Sequence, residues 1–206
     1  MFLLHGRPIL EYTLESLPDA IDTVIIVIHH LGGQIQRHFG EVFGYRKIVY
    51  VRQEELKGTA DALFTCQQRI ESHRFLVCMG DDLYSKSDLS RCLEHDLAIL
   101  ACEHPEPFRF GVIEVDKLGH FVGIEEKPMQ PKSSLVNTGV YVLDKELFSY
   151  PRLKPESSNE ESLPLTMLQL TAKRSIKVVK ASFWLPISYP EDLKRAKEIL
   201  GQKTAE

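Results

Sequence analysis

Gln53, a Gly58-Thr59-Ala60 turn and a Gly80-Asp81-Asp82 turn follow one another along this chain, and in that order they suit the holding of a nucleoside triphosphate. The apolar run before Gly80 reads as a strand, which sets Asp81 at the carboxyl edge of a parallel sheet, where open α/β folds bind ligands. A carboxylate there is a natural ligand for a hard cation such as Mg2+, which accompanies phosphates. Singly, each element has a plainer meaning: Asp81 caps a turn and Thr59 caps a helix. Their succession points to a nucleotide site. Asp82 is the weaker of the two acids, and a surface turn is the expected place for it.

The elements that must position these residues alternate through the first half. Residues 23–29 form a β-branched run suited to a strand buried on both faces, and residues 47–52 and 75–80 have the same texture. Helical stretches lie at 8–17, 34–39 and 59–70, with Pro8 in the first turn of one and Thr59 capping another. This rhythm implies a parallel sheet with right-handed crossovers. After Ala98 the texture changes. Residues 110–115 and 121–126 flank Asp116-Lys117-Leu118-Gly119 as a β-hairpin, and 136–143 is a further strand. Residues 154–161 form a polar loop, 163–172 a helix and 175–181 an extended segment. Residues 190–200 form a helix with Glu191 and Asp192 at its positive end and Leu193, Ala196, Ile199 and Leu200 on one face.

Composition narrows the class. A chain of 206 residues, 43% hydrophobic and 26% charged, supports one substantial core. A formal charge of -4 leaves no basic surplus for nucleic acid. No run approaches the ~18 apolar residues of a membrane span, and the amino-terminal residues lack the features of a signal peptide. Cys66, Cys78, Cys92 and Cys102 form no C-x-x-C pair, which fits small buried hydrophobes in a reducing, cytoplasmic setting. Two decoys are set aside. Gly32-Gly33 lacks the rest of a phosphate-loop pattern and is expected to be a tight strand-to-helix turn. His29, His30 and His38 have no carboxylates at zinc-ligand spacing.

Four further stretches extend the opening series: Gly111-Val112-Ile113-Glu114, Glu125-Glu126-Lys127-Pro128, Asn137-Thr138-Gly139-Val140-Tyr141, and the segment from Trp184 through Pro186 and Pro190 to Leu193. With them the chain resembles the sugar-1-phosphate nucleotidylyltransferases, of the glucose-1-phosphate thymidylyltransferase and mannose-1-phosphate guanylyltransferase kind, from about Gly6 to Leu200. The resemblance implies an α/β fold: a Rossmann-like, mostly parallel sheet flanked by helices, with a β-rich sugar-binding portion. A single domain is expected, with a nucleotide half at 1–97 and a sugar half at 98–206. The implied reaction is attack of a sugar-phosphate oxygen on the α-phosphorus of a nucleoside triphosphate, releasing pyrophosphate, with Mg2+ as the metal. Gln53, Gly58 and Thr59 would meet the nucleotide, and Asp81 the metal. Lys127 would meet the sugar phosphate. Gly111, Glu126, Asn137 and Gly139 would line the sugar pocket. Partners would be the two small substrates, without nucleic acid or membrane, and an oligomer is compatible.

Two positions depart from the family pattern. The glycine-rich loop ending in Arg and followed by Pro-Lys, which hangs from the family's first strand, has no counterpart. Residues 2–8 resemble the segment just after it. Pro186 stands where the family commonly has an Asp as second metal ligand. Losing preorganised electrostatic groups costs ~10²–10³ in rate for each. The chain as written is therefore expected to be a poor catalyst. It is either preceded by roughly two dozen residues carrying the strand and loop, or a degenerate homologue that binds without turnover. A regulatory partner of a complete paralogue, using the open sheet as an interface, is the remaining alternative.

Overall fold

The computed structural model describes residues 3–156, 158–187 and 190–203. Phe2, Ser157, Ser188 and Tyr189, named in the stretches above, lie outside these, as does the side chain of Leu200.

The chain enters through a short hairpin, β1 (Leu3–Leu4) against β2 (Arg7–Pro8). α1 (Ile9–Ser16) follows, with Pro8 at its N-cap rather than inside its first turn. β3 (Thr23–Ile28) leads into α2 (Gly32–Phe39). Gly32 and Gly33 open that helix instead of forming the turn before it, and a Cβ on Gly32 would meet the Ile28 side chain at 2.7 Å. β4 (Val42–Phe43) and β5 (Arg46–Arg52) come next, with β5 parallel to β3 and antiparallel to β4.

α3 (Thr59–Thr65) is shorter than the apolar spacing suggests, because the chain tightens into a 3-10 turn at Gln67–Arg69. Gly58, not Thr59, occupies its N-cap. β6 (Arg74–Val77) stops before Gly80. β7 (Leu83–Tyr84) and α4 (Lys86–Leu93) follow, then β8 (Ala98–Glu103), β9 (Gly111–Val115), β10 (Phe121–Glu126) and β11 (Leu135–Asp144). α5 (Leu163–Leu168), β12 (Lys177–Lys180), β13 (Trp184–Leu185) and α6 (Pro190–Lys203) complete the order. No helix among the described residues is long and apolar enough to cross a membrane.

The result is a mixed α/β architecture with sheets flanked by helices. Its main sheet runs β10-β9-β11-β8-β12, with β6 also on β11. Among the described residues, parallel pairing is confined to β3–β5 and β8–β12, and the other ladders are antiparallel. β3 and β6 are not paired with each other, so β3-β5-β4 stands as a separate sheet. β11 is buried nearly throughout, and Ala98, Ile99, Leu100 and Ala101 of β8 are fully buried beside it. This is why β8 reads as a continuous apolar run. Residues 23–28 were expected to be buried on both faces, yet Val24, Ile25 and Val27 are only half-buried.

Two carboxylates hold the segment at 182–187. Asp88 of α4, fully buried, accepts from the Ser182 amide (2.7 Å), the Ser182 hydroxyl (2.9 Å) and the Phe183 amide (3.1 Å), and pairs with Arg91 at 2.6 Å. Asp82 is the second, and here the structure overturns the sequence expectation. It is 8% exposed, not a surface residue. It accepts from Trp184 Nε1 at 2.9 Å, the Ile187 amide at 3.2 Å and the Tyr84 hydroxyl at 3.3 Å. Its own carbonyl accepts from the Thr13 hydroxyl of α1 at 3.0 Å. Four residues thus converge on one, and a free acid in sequence becomes a buried junction. α6 closes the structure by packing Leu193, Ala196 and Ile199 against Leu4, Ile9 and Leu185.

Burial pushes the Asp82 carboxyl up to about 6, with the Asp81 charge adding and the Trp184 and Ile187 hydrogen bonds opposing. The folded chain therefore keeps this proton where the unfolded chain, near the ordinary 3.8, has released it. Stability from this group is present below pH about 4 and is lost as pH rises toward 6, by up to about 3 kcal/mol. Denaturant titrations should accordingly find Asp82→Asn more costly at pH 4.5 than at pH 7. A cost independent of pH, or growing with pH, would show that Asp82 is not held protonated.

Candidate functional site

Asp81 follows β6 on an exposed turn, and crowding by the surrounding protein still raises its carboxyl above the ordinary range. What stands beside that turn is decided by β11. The strand carries a register shift between Asn137 and Val140, and Gly139 within it has φ +76. A Cβ on Gly139 would lie 2.5 Å from Met79 Cγ, so only glycine lets this bulge press against the residues leading to Asp81. Asn137 holds the bulge from within: its Oδ1 accepts from the Gly139 amide at 3.0 Å, and its Nδ2 donates to the Tyr141 hydroxyl at 2.7 Å. Thr138 is tied on both sides, its hydroxyl to the Leu100 carbonyl (2.8 Å) and its carbonyl to the Tyr84 hydroxyl (2.9 Å).

Gly111 and Glu126 are directly opposed across the β9–β10 ladder. A Cβ at Gly111 would meet Ile124 Cδ1 at 2.8 Å and Glu126 Oε2 at 3.0 Å, so the glycine leaves room for the glutamate. Glu126 is exposed, yet crowding by the surrounding protein raises its carboxyl, with neighbouring Lys127 opposing; its charge adds to the upward push that burial gives the Tyr141 hydroxyl. Lys127 is exposed and has φ 45, a left-handed conformation uncommon for a side chain of its kind. Its amide donates to the Phe110 carbonyl at 3.0 Å, which ties the end of the hairpin to the start of β9.

The remaining candidates form a second cluster. Gln53 is 6% exposed, and its Nε2 donates to Asp61 Oδ2 at 2.8 Å and the Gly58 carbonyl at 3.3 Å. Both partners can only accept, which fixes the amide with Oε1 as its uncommitted atom. Arg152 pairs with Asp61 (2.5 Å) and with Glu161 (3.1 Å). Gly58 has φ +110, and a Cβ there would strike the Glu161 backbone at 2.5 Å, so it too must be glycine. The Thr59 hydroxyl accepts from the Leu163 amide at 3.0 Å, which joins α3 to α5 instead of capping α3. Thr59, Met79 and Gly80 line one groove, whereas Gln53, Asp81, Glu126 and Asn137 are not part of its lining.

The sequence singled out neither Asp61 nor Arg152, nor Tyr84. The acid in the first turn of α3 was the available signal for Asp61. Arg152 comes from a distant loop and had none. For Mg2+, Asp81 offers a carboxylate, whereas both Asp82 oxygens are engaged and Pro186 has none. No group of three His, Cys, Asp or Glu residues suited to a metal occurs among the described residues. One carboxylate still fits Mg2+, which takes one or two carboxylates and fills its shell with phosphates and water.

The chain is 28% identical over 205 residues to the bifunctional protein GlmU of Methanocaldococcus jannaschii, covering 98% of this chain and 49% of that one. It is 28% identical over 217 residues to the UTP--glucose-1-phosphate uridylyltransferase AglF of Haloferax volcanii, covering 100% and 89%. The chain thus spans about half the length of the GlmU relatives it matches. Among solved structures, a putative glucose-1-phosphate thymidylyltransferase from Bacillus anthracis in complex with a sucrose superimposes with a TM-score of 0.82 at 24% identity, covering 96% and 84%. A UDP-glucose pyrophosphorylase from Acinetobacter baumanii gives 0.85 at 19%, covering 98% and 85%. At such identities these likenesses establish the fold. The family described as nucleotidyl transferase matches residues 1–203, nearly the whole length, and the chain belongs to that family.

Proposed function

We propose that this chain transfers a nucleoside monophosphate from a nucleoside triphosphate to a sugar 1-phosphate, giving a nucleotide sugar and pyrophosphate. The observation that carries this is the approach of the Gly139 bulge to Met79, two residues before Asp81, on the strand where Asn137 bonds the Tyr141 hydroxyl. Residues 3–203 act as one nucleotidyltransferase domain, a division supported by the β6–β11 ladder, which joins the nucleotide half to the sugar half.

In this proposal the base lies against Gln53, Gly58 and Thr59, with Gln53 presenting Oε1. The sugar lies against Gly111, Glu126, Asn137 and Gly139. Glu126 accepts from sugar hydroxyls, and the Asn137–Tyr141 pair fixes the wall of the pocket. Exposed Lys127, its backbone held in a left-handed turn, offers its ammonium to the sugar phosphate as a point charge. Asp81 holds Mg2+, which when bound neutralises charge on the phosphates. The sugar-phosphate oxygen attacks the α-phosphorus and the α–β bridging oxygen leaves with pyrophosphate, so no protein nucleophile is needed. The protein's part is alignment and charge neutralisation. A cytoplasmic location agrees with the reduced cysteines and with substrates of this kind.

A second proposal is favoured by one feature, Pro186. With no carboxylate there and Asp82 committed to Trp184 and Ile187, the chain would bind nucleotide or sugar phosphate without turnover. Pyrophosphate release with a panel of sugar phosphates and triphosphates separates the two. Under the first, Asp81→Asn should lower kcat on the order of 10²-fold with little change in folding stability. Triphosphate binding by calorimetry with no pyrophosphate release would establish the second instead.

Lys127 allows charge to be separated from conformation. Lys127→Gly should leave stability unchanged or raise it by about 1 kcal/mol, since glycine tolerates the left-handed turn. It should lower kcat/KM for the sugar phosphate by roughly 10². An unchanged kcat/KM would remove Lys127 from the site.

A further inference from the structure

Gln53 follows β5, and its backbone is fixed there: its amide donates to the Ile28 carbonyl at 2.9 Å, and its carbonyl is bonded to His29 Nδ1 at 2.8 Å. The polarity of the side chain is then set by what surrounds it. Nε2 gives one proton to Asp61 Oδ2 and the other to the Gly58 carbonyl. A reversed amide would set Oε1 against both of these oxygens, and neither a carboxylate nor a carbonyl has a proton to offer it. Among the described residues the buried side-chain oxygen left without a hydrogen bond is Glu161 Oε2. Gln53 Oε1, also without a partner, therefore reaches solvent.

What holds Asp61 comes from the far half of the chain. Arg152 Nη1 pairs with Asp61 Oδ1, which leaves Oδ2 for Gln53. The same guanidinium pairs with Glu161 at 3.1 Å, and its carbon lies 5.6 Å from the centre of the Phe64 ring. The Asp61 and Glu161 side chains are 16% and 12% exposed, so water has little access to compete for them. The backbone adds to the brace. The Glu161 amide donates to the Lys57 carbonyl at 2.6 Å, and the Glu161 carbonyl accepts from the Ala60 amide at 2.9 Å. The turn at 57–61 is thus held by residues 152–161.

We propose that Asp61 and Arg152 are positioning residues that lock the Gln53 amide with Oε1 outward, and that this lock selects bases with a ring N–H beside a carbonyl. Uracil, thymine and guanine have that edge; cytosine and adenine do not. The proposal rests on the reading above, in which the base lies against Gln53 and Gly58. The Gly58 amide has no partner among the described residues, so the site offers a base one acceptor, Oε1, and one donor, the Gly58 N–H. Uracil and thymine answer with N3–H beside a carbonyl, and guanine with N1–H beside O6. Cytosine and adenine carry a lone pair on that ring nitrogen, which would face the lone pairs of Oε1. A glutamine free to turn its amide over would accept either kind of edge. Asp61 removes that freedom, and Arg152 keeps Asp61 in place.

The test is calorimetric titration of the full chain with UTP, dTTP, CTP, GTP and ATP in the presence of Mg2+, read as ratios within one ring size. UTP should bind at least about a hundredfold tighter than CTP, or GTP than ATP, because in the weaker partner a lone pair replaces the N–H. Asp61→Asn keeps the side-chain shape but can donate to Oε1, so Gln53 is free to turn over. The ratio should then fall at least about tenfold, chiefly through a gain for CTP or ATP. Arg152→Met should lower the same ratio severalfold, and Arg152→Lys should restore most of it. A purely structural role would weaken both members of a pair alike. An unchanged ratio in Asp61→Asn would therefore overturn the proposal, as would CTP or ATP binding as tightly as its counterpart in the unaltered chain. In both of those outcomes a triphosphate still binds and the nucleotide reading stands, whereas binding of no triphosphate would remove that reading and the proposal together. If Asp61→Asn does not fold, the two Arg152 variants and the ratio in the unaltered chain decide.

Discussion

The structure depends on β11 being shared. It pairs with β6 over residues 141–144, with β8 over 135–142 and with β9 at Val136, so elements from both halves of the chain are hydrogen-bonded to one strand. A strand buried on both faces must be regular to satisfy its backbone, yet this one breaks register at Asn137–Val140. The cost is contained because Asn137 supplies hydrogen bonds that the ladder loses, and because Thr138 is anchored to Leu100 and Tyr84. The bulge turns the strand aside against Met79. The close approach of Gly139 to Met79 follows from that displacement.

A second constraint is the use of carboxylates as structural junctions. Asp88 and Asp82 both accept backbone N–H groups from residues 182–187, a stretch too short in regular structure to hold itself. Their chemistry differs. Asp88 has Arg91 beside it and, although burial acts to raise it, its carboxyl is held below the ordinary range. Asp82 has no ion pair among the described residues, and burial pushes it up to about 6. The adjacent acids of the Gly80-Asp81-Asp82 turn therefore have opposite dispositions: Asp82 is buried and bonded to Trp184 and Ile187, and Asp81 stands exposed.

Most of the order of elements was legible in the sequence because hydrophobic period reports local structure directly. The hairpin at 111–126, the strand at 135–144 and the last helix appear as expected. α4 and β8 did not announce themselves. α4 buries only Asp88, Leu89 and Cys92, so its apolar stripe is thin, and β8 lies beneath a change of texture that drew attention to the hairpin beyond it. The glycines of the candidate site were found as motif members. Their necessity at 58, 111 and 139 is steric and comes from Glu161, Ile124 and Met79, none of which the motifs contain.

The chain alone determined its family, its class of fold and which residues are candidates for chemistry, since these rest on residue type and on order along the backbone. Tertiary structure alone decided which candidates are available. Asp81 and Asp82 are neighbours of the same type, and only burial and the partners at Trp184 and Ile187 distinguish them. Likewise the β-branched run at 23–28 calls for burial on both faces, but whether a strand has a neighbour on each side is a property of the sheet and not of the strand. Local sequence carries propensity and pattern; desolvation and pairing are set by atoms far away in the chain.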